Sequence, residues 1–411
     1  MRTLIVNIGE LATPFGRNAW GGADQRKRVE RYRNAWILVE DGKVLTLGTG
    51  DPGGIKDQPD TEFLDAGGAL VTPGLVDAHT HLVFGGYRQN ELALKLKGVS
   101  YLEILERGGG ILSTVAATRR ASLEELLEKA RKDLLEMLRH GITAVEIKSG
   151  YGLDRETELR QLRVVKRLRE ELPMDLAATY LGAHALPPEY KDRREDYIRL
   201  VCEEIIPEVA REGLAEFCDV FCETGVFTAE ETGRILEAGK KYGLRPKIHA
   251  DEIDAIGGSE LTKEVGAVSA EHLIRCRESG IQAMKEAGTI ACLLPATSFY
   301  LGAAYAPARQ MIDAGVPVAM ATDYNPGSCP SLNLQFVMNL GCLRYRLTPE
   351  EVLAAVTLNA AGAIGRADRL GSLEPGKQAD LVIWDAPDLE YICYRMGSNL
   401  AKTVMKKGKI V

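Results

Sequence analysis

The chain has 411 residues, more than one ordinary hydrophobic core organises, so two to three domains or one large barrel with a smaller partner are expected. Hydrophobic residues make up 45% and charged residues 27%, which excludes a disordered or fibrous chain. Lys and Arg total 51 against 58 Asp and Glu, and the net charge of −7 argues against a binder of nucleic acid or of anionic membranes.

In chain order, Met1 to Glu10 has a short apolar patch without a small-residue cleavage site and does not read as a secretory signal. The basic cluster Arg26, Lys27, Arg28, Arg31 and Arg33 is interrupted by Glu30 and reads as a solvated loop or strand edge. Trp36–Val39 and Lys43–Leu47 flank the turn Asp41-Gly42 as a β-hairpin. Short apolar runs then alternate with longer charged segments of helical period. The runs are Leu70–Ala78, Thr143–Lys148, Asp175–Leu181, Phe217–Cys222, Pro246–Ala250, Ala267–Ala270, Thr289–Leu294 and Pro317–Ala321. Eight such βα units predict an α/β fold, a TIM-type (β/α)8 barrel. Ser122 followed by Glu125 marks one helix start, and His140-Gly141 marks its end.

The charge-free stretch between Glu286 and Arg309 is broken by Pro295 and Pro307, so no membrane span is expected. Beyond Gly371, Ala379–Trp384 and Thr403–Met405 read as strands. Residues 1–66 and 362–411 are therefore expected to form a small discontinuous β-sandwich domain, with residues 67–361 as the catalytic barrel. The eight cysteines form no C-x-x-C pair, which suits a reduced, cytoplasmic protein.

Histidine is rare enough, at six residues, to place individually. His79 and His81 close strand one, His184 follows strand three, His249 ends strand five, His272 follows strand six and Asp323 follows strand eight. Residues at the carboxyl ends of barrel strands converge on one mouth. Alternation puts i and i+2 on one side of a strand, so His79 and His81 can share a metal ion, with His249 and Asp323 completing the set. Three neutral imidazoles and a carboxylate suit zinc or a similar divalent ion and leave a position for water. An H-x-H pair alone also fits hydrogen-bonded core histidines; the four converging ligand types decide for metal. His140, in the last turn of a helix, answers the helix dipole instead. Lys148 is expected to be solvated or ion-paired, and Cys218 and Cys222 to pack in the core.

The segment Val71-Thr-Pro-Gly-Leu-Val-Asp-Ala-His-Thr-His resembles the signature of the amidohydrolase superfamily, and Gly371-Ser-Leu-Glu-Pro-Gly-Lys-Gln-Ala-Asp-Leu-Val resembles its C-terminal sandwich segment. Five further motifs carry a narrower resemblance: Phe84-Gly-Gly-Tyr-Arg-Gln-Asn-Glu, Lys148-Ser-Gly-Tyr-Gly-Leu, Gly182-Ala-His-Ala, His249-Ala-Asp-Glu and Thr322-Asp-Tyr-Asn-Pro-Gly-Ser. They resemble the branch that opens the ring of imidazolone propionate in histidine degradation. The resemblance, which covers essentially the whole chain, implies metal-dependent hydrolysis of that cyclic amide to N-formimidoyl-L-glutamate. It also implies one divalent ion, zinc or iron, on His79, His81, His249 and Asp323, and a homodimer. No lysine stands in Glu216-Phe-Cys-Asp-Val-Phe-Cys-Glu, where two-metal relatives carry a bridging one, which points to the one-metal branch.

The implied roles follow. Asp323 and His272 orient or deprotonate water, His184 polarises the carbonyl or holds the oxyanion, and Glu252 carries a proton or meets a ring nitrogen. Arg88 binds the propionate through a bidentate pair. Tyr151 and Tyr101 wall the pocket, and Asn325, Gly327 and Ser328 reach the substrate from the loop after strand eight. The nearest alternative is a deaminase of the same superfamily acting on a cytosine- or guanine-like ring, from which the propionate-binding Arg88 and the Asn325–Ser328 loop discriminate. A non-catalytic scaffold is a third reading, against which the complete ligand set argues.

Overall fold

The computed structural model describes residues 2–56, 58, 60–98 and 109–411; Tyr101 lies outside the described residues. The chain opens with β1 (Arg2–Pro14), β2 (Val29–Glu40), β3 (Lys43–Thr49), β4 (Thr61–Asp65) and β5 (Leu70–Pro73). The barrel follows as β6 (Leu75–Asp77), β7 (Ile142–Lys148), β8 (Asp175–Ala183), β9 (Phe217–Cys222), β10 (Arg245–Ala250), β11 (Ser269–His272), β12 (Ile290–Leu293) and β13 (Val318–Met320). The C-terminus adds β14 (Leu381–Trp384), β15 (Ala401–Lys406) and β16 (Lys409–Ile410).

β6 to β13 pair in parallel and in sequence, each strand beside its predecessor, the order of a singly wound barrel. These strands are buried on both faces, one against the helices and one against the barrel interior, which is why they read as near-continuous apolar runs. The seam lies between β6 and β13. Just above them a Thr80–Tyr324 bridge closes it, with His81 N–H donating to Tyr324 O at 2.9 Å and Asp323 N–H to His79 O at 3.0 Å. Below that bridge the Thr322 hydroxyl and amide donate to Asp77 at 2.6 and 3.0 Å.

The helix Leu123–Arg139 shows how sequence sets such a unit. Ser122 and Glu125 form a reciprocal capping box, the stripe Leu126, Ala130, Leu134 and Met137 is buried, and the chain turns at Gly141 with φ +88°. His140 caps the helix, its Nδ1 3.0 Å from Glu136 O, as the dipole argument requires.

Both chain ends combine in one mixed sheet of eight strands, in the order β16-β15-β14-β5-β1-β2-β3 with β4 on β1. Its apolar side, including Ile5, Leu11, Ile37, Val71, Leu381 and Met405, forms a core of its own. The β2–β3 turn at Gly42 packs against the β15–β16 turn at Gly408, so the two ends of the sheet meet in a sandwich-like closure.

Three details differ from the sequence reading. The apolar run Leu70–Ala78 is two strands, because β5 pairs with β1 and β14 while β6 pairs with β7. Gly74 makes the switch: a Cβ there would lie 2.3 Å from Thr143 Oγ1, so only glycine lets the two sheets approach. β11 runs to His272, which thus ends its strand rather than following it. The basic cluster is divided between a short helix, Asp24–Lys27, and β2, where Arg31 and Arg33 pair with the buried Glu10. Among the described residues no helix is long and apolar enough to cross a membrane.

Candidate active site

Strand ends deliver the expected cluster. His79 and His81 leave β6, His249 sits in β10 and Asp323 follows β13, all at most 2% exposed. The Nε2 atoms of His79 and His81 are 3.2 Å apart, and those of His81 and His249 are 3.4 Å apart. Asp323 Oδ1 lies 3.4 Å from His79 Nε2 and 3.5 Å from His81 Nε2.

The tautomers give these distances meaning. His79 Nδ1 is 3.0 Å from Glu271 Oε2, and His249 Nδ1 is 3.0 Å from Asp219 Oδ2. An ionised carboxylate only accepts, so the Glu271 hydrogen bond keeps the His79 proton on Nδ1 and leaves its Nε2 a bare lone pair, while Asp219 meets His249 Nδ1 as a charge contact outside hydrogen-bond geometry. Burial above all, with Lys148 and the other imidazoles, holds His79 and His81 well below the ordinary histidine range, in the neutral state that ligates. Lone pairs and a carboxylate oxygen converging in a dry cluster repel unless a cation lies between them. Donors about 2.0–2.1 Å from a tetrahedral ion stand about 3.3–3.4 Å from one another, which is the spacing found. The donor set fits one divalent ion.

Backbone strain gathers at the same mouth. Asp251, His272, Leu273 and Asp323 adopt φ of +54°, +68°, +60° and +56°, conformations that side-chain-bearing residues rarely take. Thr297 Oγ1 donates to Asp323 Oδ2 at 2.6 Å and turns Oδ1 toward the histidines. His272 Nε2 is 3.6 Å from Glu252 Oε2, and its Nδ1 has no hydrogen-bond partner among the described residues. Burial, opposed by His249 and reinforced by Glu223, pushes the Glu252 carboxyl up to about 7, while burial draws His272 down to about 4. Glu223 also anchors the loop that carries Glu252, accepting from Ile253 N–H at 2.9 Å and Asp254 N–H at 3.0 Å.

His184 stacks on His81 with ring centroids 4.9 Å apart, and Tyr151, 2% exposed, lies 5.5 Å from His184. His184 Nδ1 is 3.0 Å from Gly150 O, an atom that can only accept. The ring proton is therefore on Nδ1, and burial draws the group down to about 3, so Nε2 is an acceptor. An acceptor meets a substrate N–H, whereas polarising a carbonyl and holding an oxyanion both need a donor, so this tautomer serves neither part of the role expected for His184.

Arg88 reaches over the loop after β13: a Cβ on Gly327 would fall 1.1 Å from its Nη2, so only glycine fits beneath the guanidinium. Its Nε is buried without a hydrogen-bond partner among the described residues, a donor left for a ligand. Asn325 differs from expectation. Its amide nitrogen donates to Asp323 O and Ser328 Oγ, and its Oδ1 accepts from the Gly327 and Ser328 amides, so Asn325 and Ser328 shape the loop.

Sequence reasoning passed over Asp219 and Glu271, which face His249 and His79, and Thr297. The signal was present in the strands, where polar and ionisable residues recur at inward alternate positions: Glu146 and Lys148, Lys247 and His249, Ser269 and Glu271. Lys148 is ion-paired as expected but fully buried, 2.8 Å from Asp219.

Comparison with known proteins agrees with this geometry. The amidohydrolase family model matches residues 70–411. The imidazolonepropionase of Alkaliphilus metalliredigens is 51% identical over 99% of this chain and 97% of its own, and that of Geobacillus kaustophilus is 53% identical over 100% and 96%. Among solved structures, a triazine hydrolase variant superposes with a TM-score of 0.75 at 20% identity, covering 100% of this chain and 94% of its own. Escherichia coli guanine deaminase gives 0.74 at 16%, covering 100% and 99%; both likenesses speak for the fold. With half of its residues identical over the full length, the chain belongs to the amidohydrolase family and, within it, to the imidazolonepropionases.

Proposed function

We propose that this chain, a hydrolase of a cyclic amide in histidine degradation, opens imidazolone propionate to N-formimidoyl-L-glutamate with one ion, zinc or iron, on His79, His81, His249 and Asp323. The observation that carries the assignment is the convergence of three imidazole Nε2 atoms and Asp323 Oδ1 at ligand spacing. A bound dication lowers the pKa of water toward about 7 and polarises the ring carbonyl.

The chain's own groups do the rest. Arg88 takes the propionate through charge-assisted hydrogen bonds above Gly327. His184 Nε2 accepts a ring N–H, and Tyr151 closes the wall behind it. Water adds to the carbonyl carbon; His272 Nε2 and Glu252 Oε2 face each other over the site, where Glu252, near 7, can take a proton from the attacking water and deliver it to the ring nitrogen as the C–N bond breaks. Asp323 keeps the water's approach fixed through its Thr297 bond. Tyr101 remains assigned to the pocket wall by resemblance alone. Eight free thiols suit a cytoplasmic enzyme, and a homodimer is the expected assembly, to be read by sedimentation.

The test is an ultraviolet assay of freshly generated imidazolone propionate with metal-analysed protein, beside a chelated control and a cytosine and guanine panel. Chelator-sensitive loss of the imidazolone with formimidoyl-glutamate appearing is the expected result. Turnover of the bases instead would replace this reading with a deaminase.

A further inference from the structure

Beneath the metal-binding mouth lies a layer that the reaction does not use. Glu146, Lys148, Asp219, Lys247 and Glu271 are all fully buried inside the barrel. Lys148 Nζ lies 2.8 Å from Asp219 Oδ2 and 3.2 Å from Glu146 Oε1. Lys247 Nζ lies 2.8 Å from Glu146 Oε2 and 3.8 Å from Glu271 Oε1. Asp219 and Glu271 are the carboxylates that face His249 Nδ1 and His79 Nδ1. The groups form an unbroken arch, His79–Glu271–Lys247–Glu146–Lys148–Asp219–His249, with Glu146 at its centre.

Stability does not account for it. Barrel interiors are ordinarily filled by branched apolar side chains, and a buried ion pair is often no better than apolar residues of the same volume. Apolar packing was available, since Val76, Ala144, Ala177 and Phe217 form the floor directly below. The arch does fix two carboxylates in position. Asp219 Oδ1 accepts from His249 N–H at 3.2 Å and Glu271 Oε1 from Ser269 Oγ at 2.5 Å, which leaves the second oxygen of each aimed at an imidazole.

We infer that Glu146, through Lys148 and Lys247, is a positioning residue for the metal site: it holds Asp219 and Glu271 so that His249 and His79 present their Nε2 atoms together. The inference rests on those histidines being metal ligands. Outer partners of ligand histidines typically change metal affinity by about 10–100-fold when altered, and Glu146 is one step further out.

The experiment strips the full-length protein of metal, reloads it with zinc alone and follows zinc release to a chromophoric chelator, beside the thermal midpoint of the zinc-free chain. Glu146→Gln keeps the volume but turns an amide nitrogen toward an ammonium. It is expected to lower the zinc-free midpoint, because it leaves the buried Lys148 and Lys247 short of a carboxylate, and to release zinc about tenfold faster at temperatures where the zinc-free chain is still folded. Lys247→Met should act in the same direction, and the double variant should fall short of the two effects combined, because both remove the same link. Wild-type release rates in both single variants would overturn the inference, and so would a lowered zinc-free midpoint with unchanged release, the mark of a merely structural role. Should Glu146→Gln fail to fold, Lys247→Met decides alone. His249→Ala separates the premises: it should hold no zinc, and wild-type zinc binding by that variant would remove the ligand assignment itself.

Discussion

The barrel mouth and the small sheet are built from the same kinds of strand and could hardly differ more in what they hold. The sheet's core is aliphatic, and the polar groups at its junction with the barrel are answered: Asp175 of β8 meets Lys406 of β15 at 2.5 Å and Arg369 at 2.7 Å. At the mouth, by contrast, His79, His81, His249, His272, Glu252 and Asp323 are gathered at one point, and the bulky His272 and Leu273 adopt the positive φ that in the sheet falls mainly on Asn7, Asn34 and Asp41. Unpaired donors do not separate the two, since Arg2 Nε and Trp36 Nε1 are also buried without hydrogen-bond partners among the described residues; a dense cluster of buried ionisable groups does, because its desolvation costs stability and it survives where something else selects it. The difference therefore marks the mouth as the working region and the sheet as its support.

That contrast can be broken at either end. The largest effects should come from the residues proposed to handle protons: Glu252→Gln and His272→Ala should each lower kcat by about 10²–10⁴-fold, with metal content unchanged by metal analysis. An active His272→Ala enzyme would remove that residue from the chemistry. In the sheet, Ile37→Ala deletes a fully buried side chain and should lower unfolding free energy by about 2–5 kcal/mol, read by denaturant titration, while kcat at a permissive temperature stays as in the wild type. A matching fall in kcat would show that the sheet takes part in more than support.

Arg88→Ala should weaken transition-state binding by about 2 kcal/mol, or about thirtyfold in kcat/KM, expressed mainly in KM. Unchanged kinetics would release Arg88 from the propionate. The smallest effect belongs to Asp175. Burial would raise its carboxyl, but Lys406, Gln378 and Arg369 outweigh it and hold Asp175 well below its ordinary 3.8. A depressed folded value stabilises the fold above the unfolded value and is lost as pH falls toward the folded one. Asp175→Asn should thus cost about 1 kcal/mol at pH 7, and the gap to wild type should shrink as pH is lowered below about 4. A gap that does not narrow would show that packing, not charge, joins barrel to sheet there.

Much of the working region was legible before any coordinates. His79, His81, His249 and Asp323 could be read because strand alternation and the common direction of barrel strands bring ends together whatever the loops do. The seven later barrel strands were visible as apolar runs, whereas Leu70–Ala78 hid a change of sheet, since a period-two pattern does not say which neighbour a strand pairs with. The partners of the histidines were hidden for a similar reason: whether Asp219 faces His249 depends on the register Lys247–Asp219 between β9 and β10, which pairing alone decides. The tautomer of His184 and the loop-internal bonds of Asn325 depend on single oxygen atoms, Gly150 O and Asp323 O, that no residue pattern locates.

The seam between β6 and β13 has a consequence for how the enzyme comes into being. Thr322 and Asp77 meet across 245 positions of sequence, and the ligands proposed above, His79, His81 and Asp323, follow the first and last strands of the barrel. Contacts of such separation form late, because a long loop must close before they repay it. A chain leaving the ribosome therefore carries two of the proposed ligand histidines long before it has the aspartate that completes their set. On that ligand set, full-strength capture of an ion has to wait until the eighth strand is made and the barrel has shut.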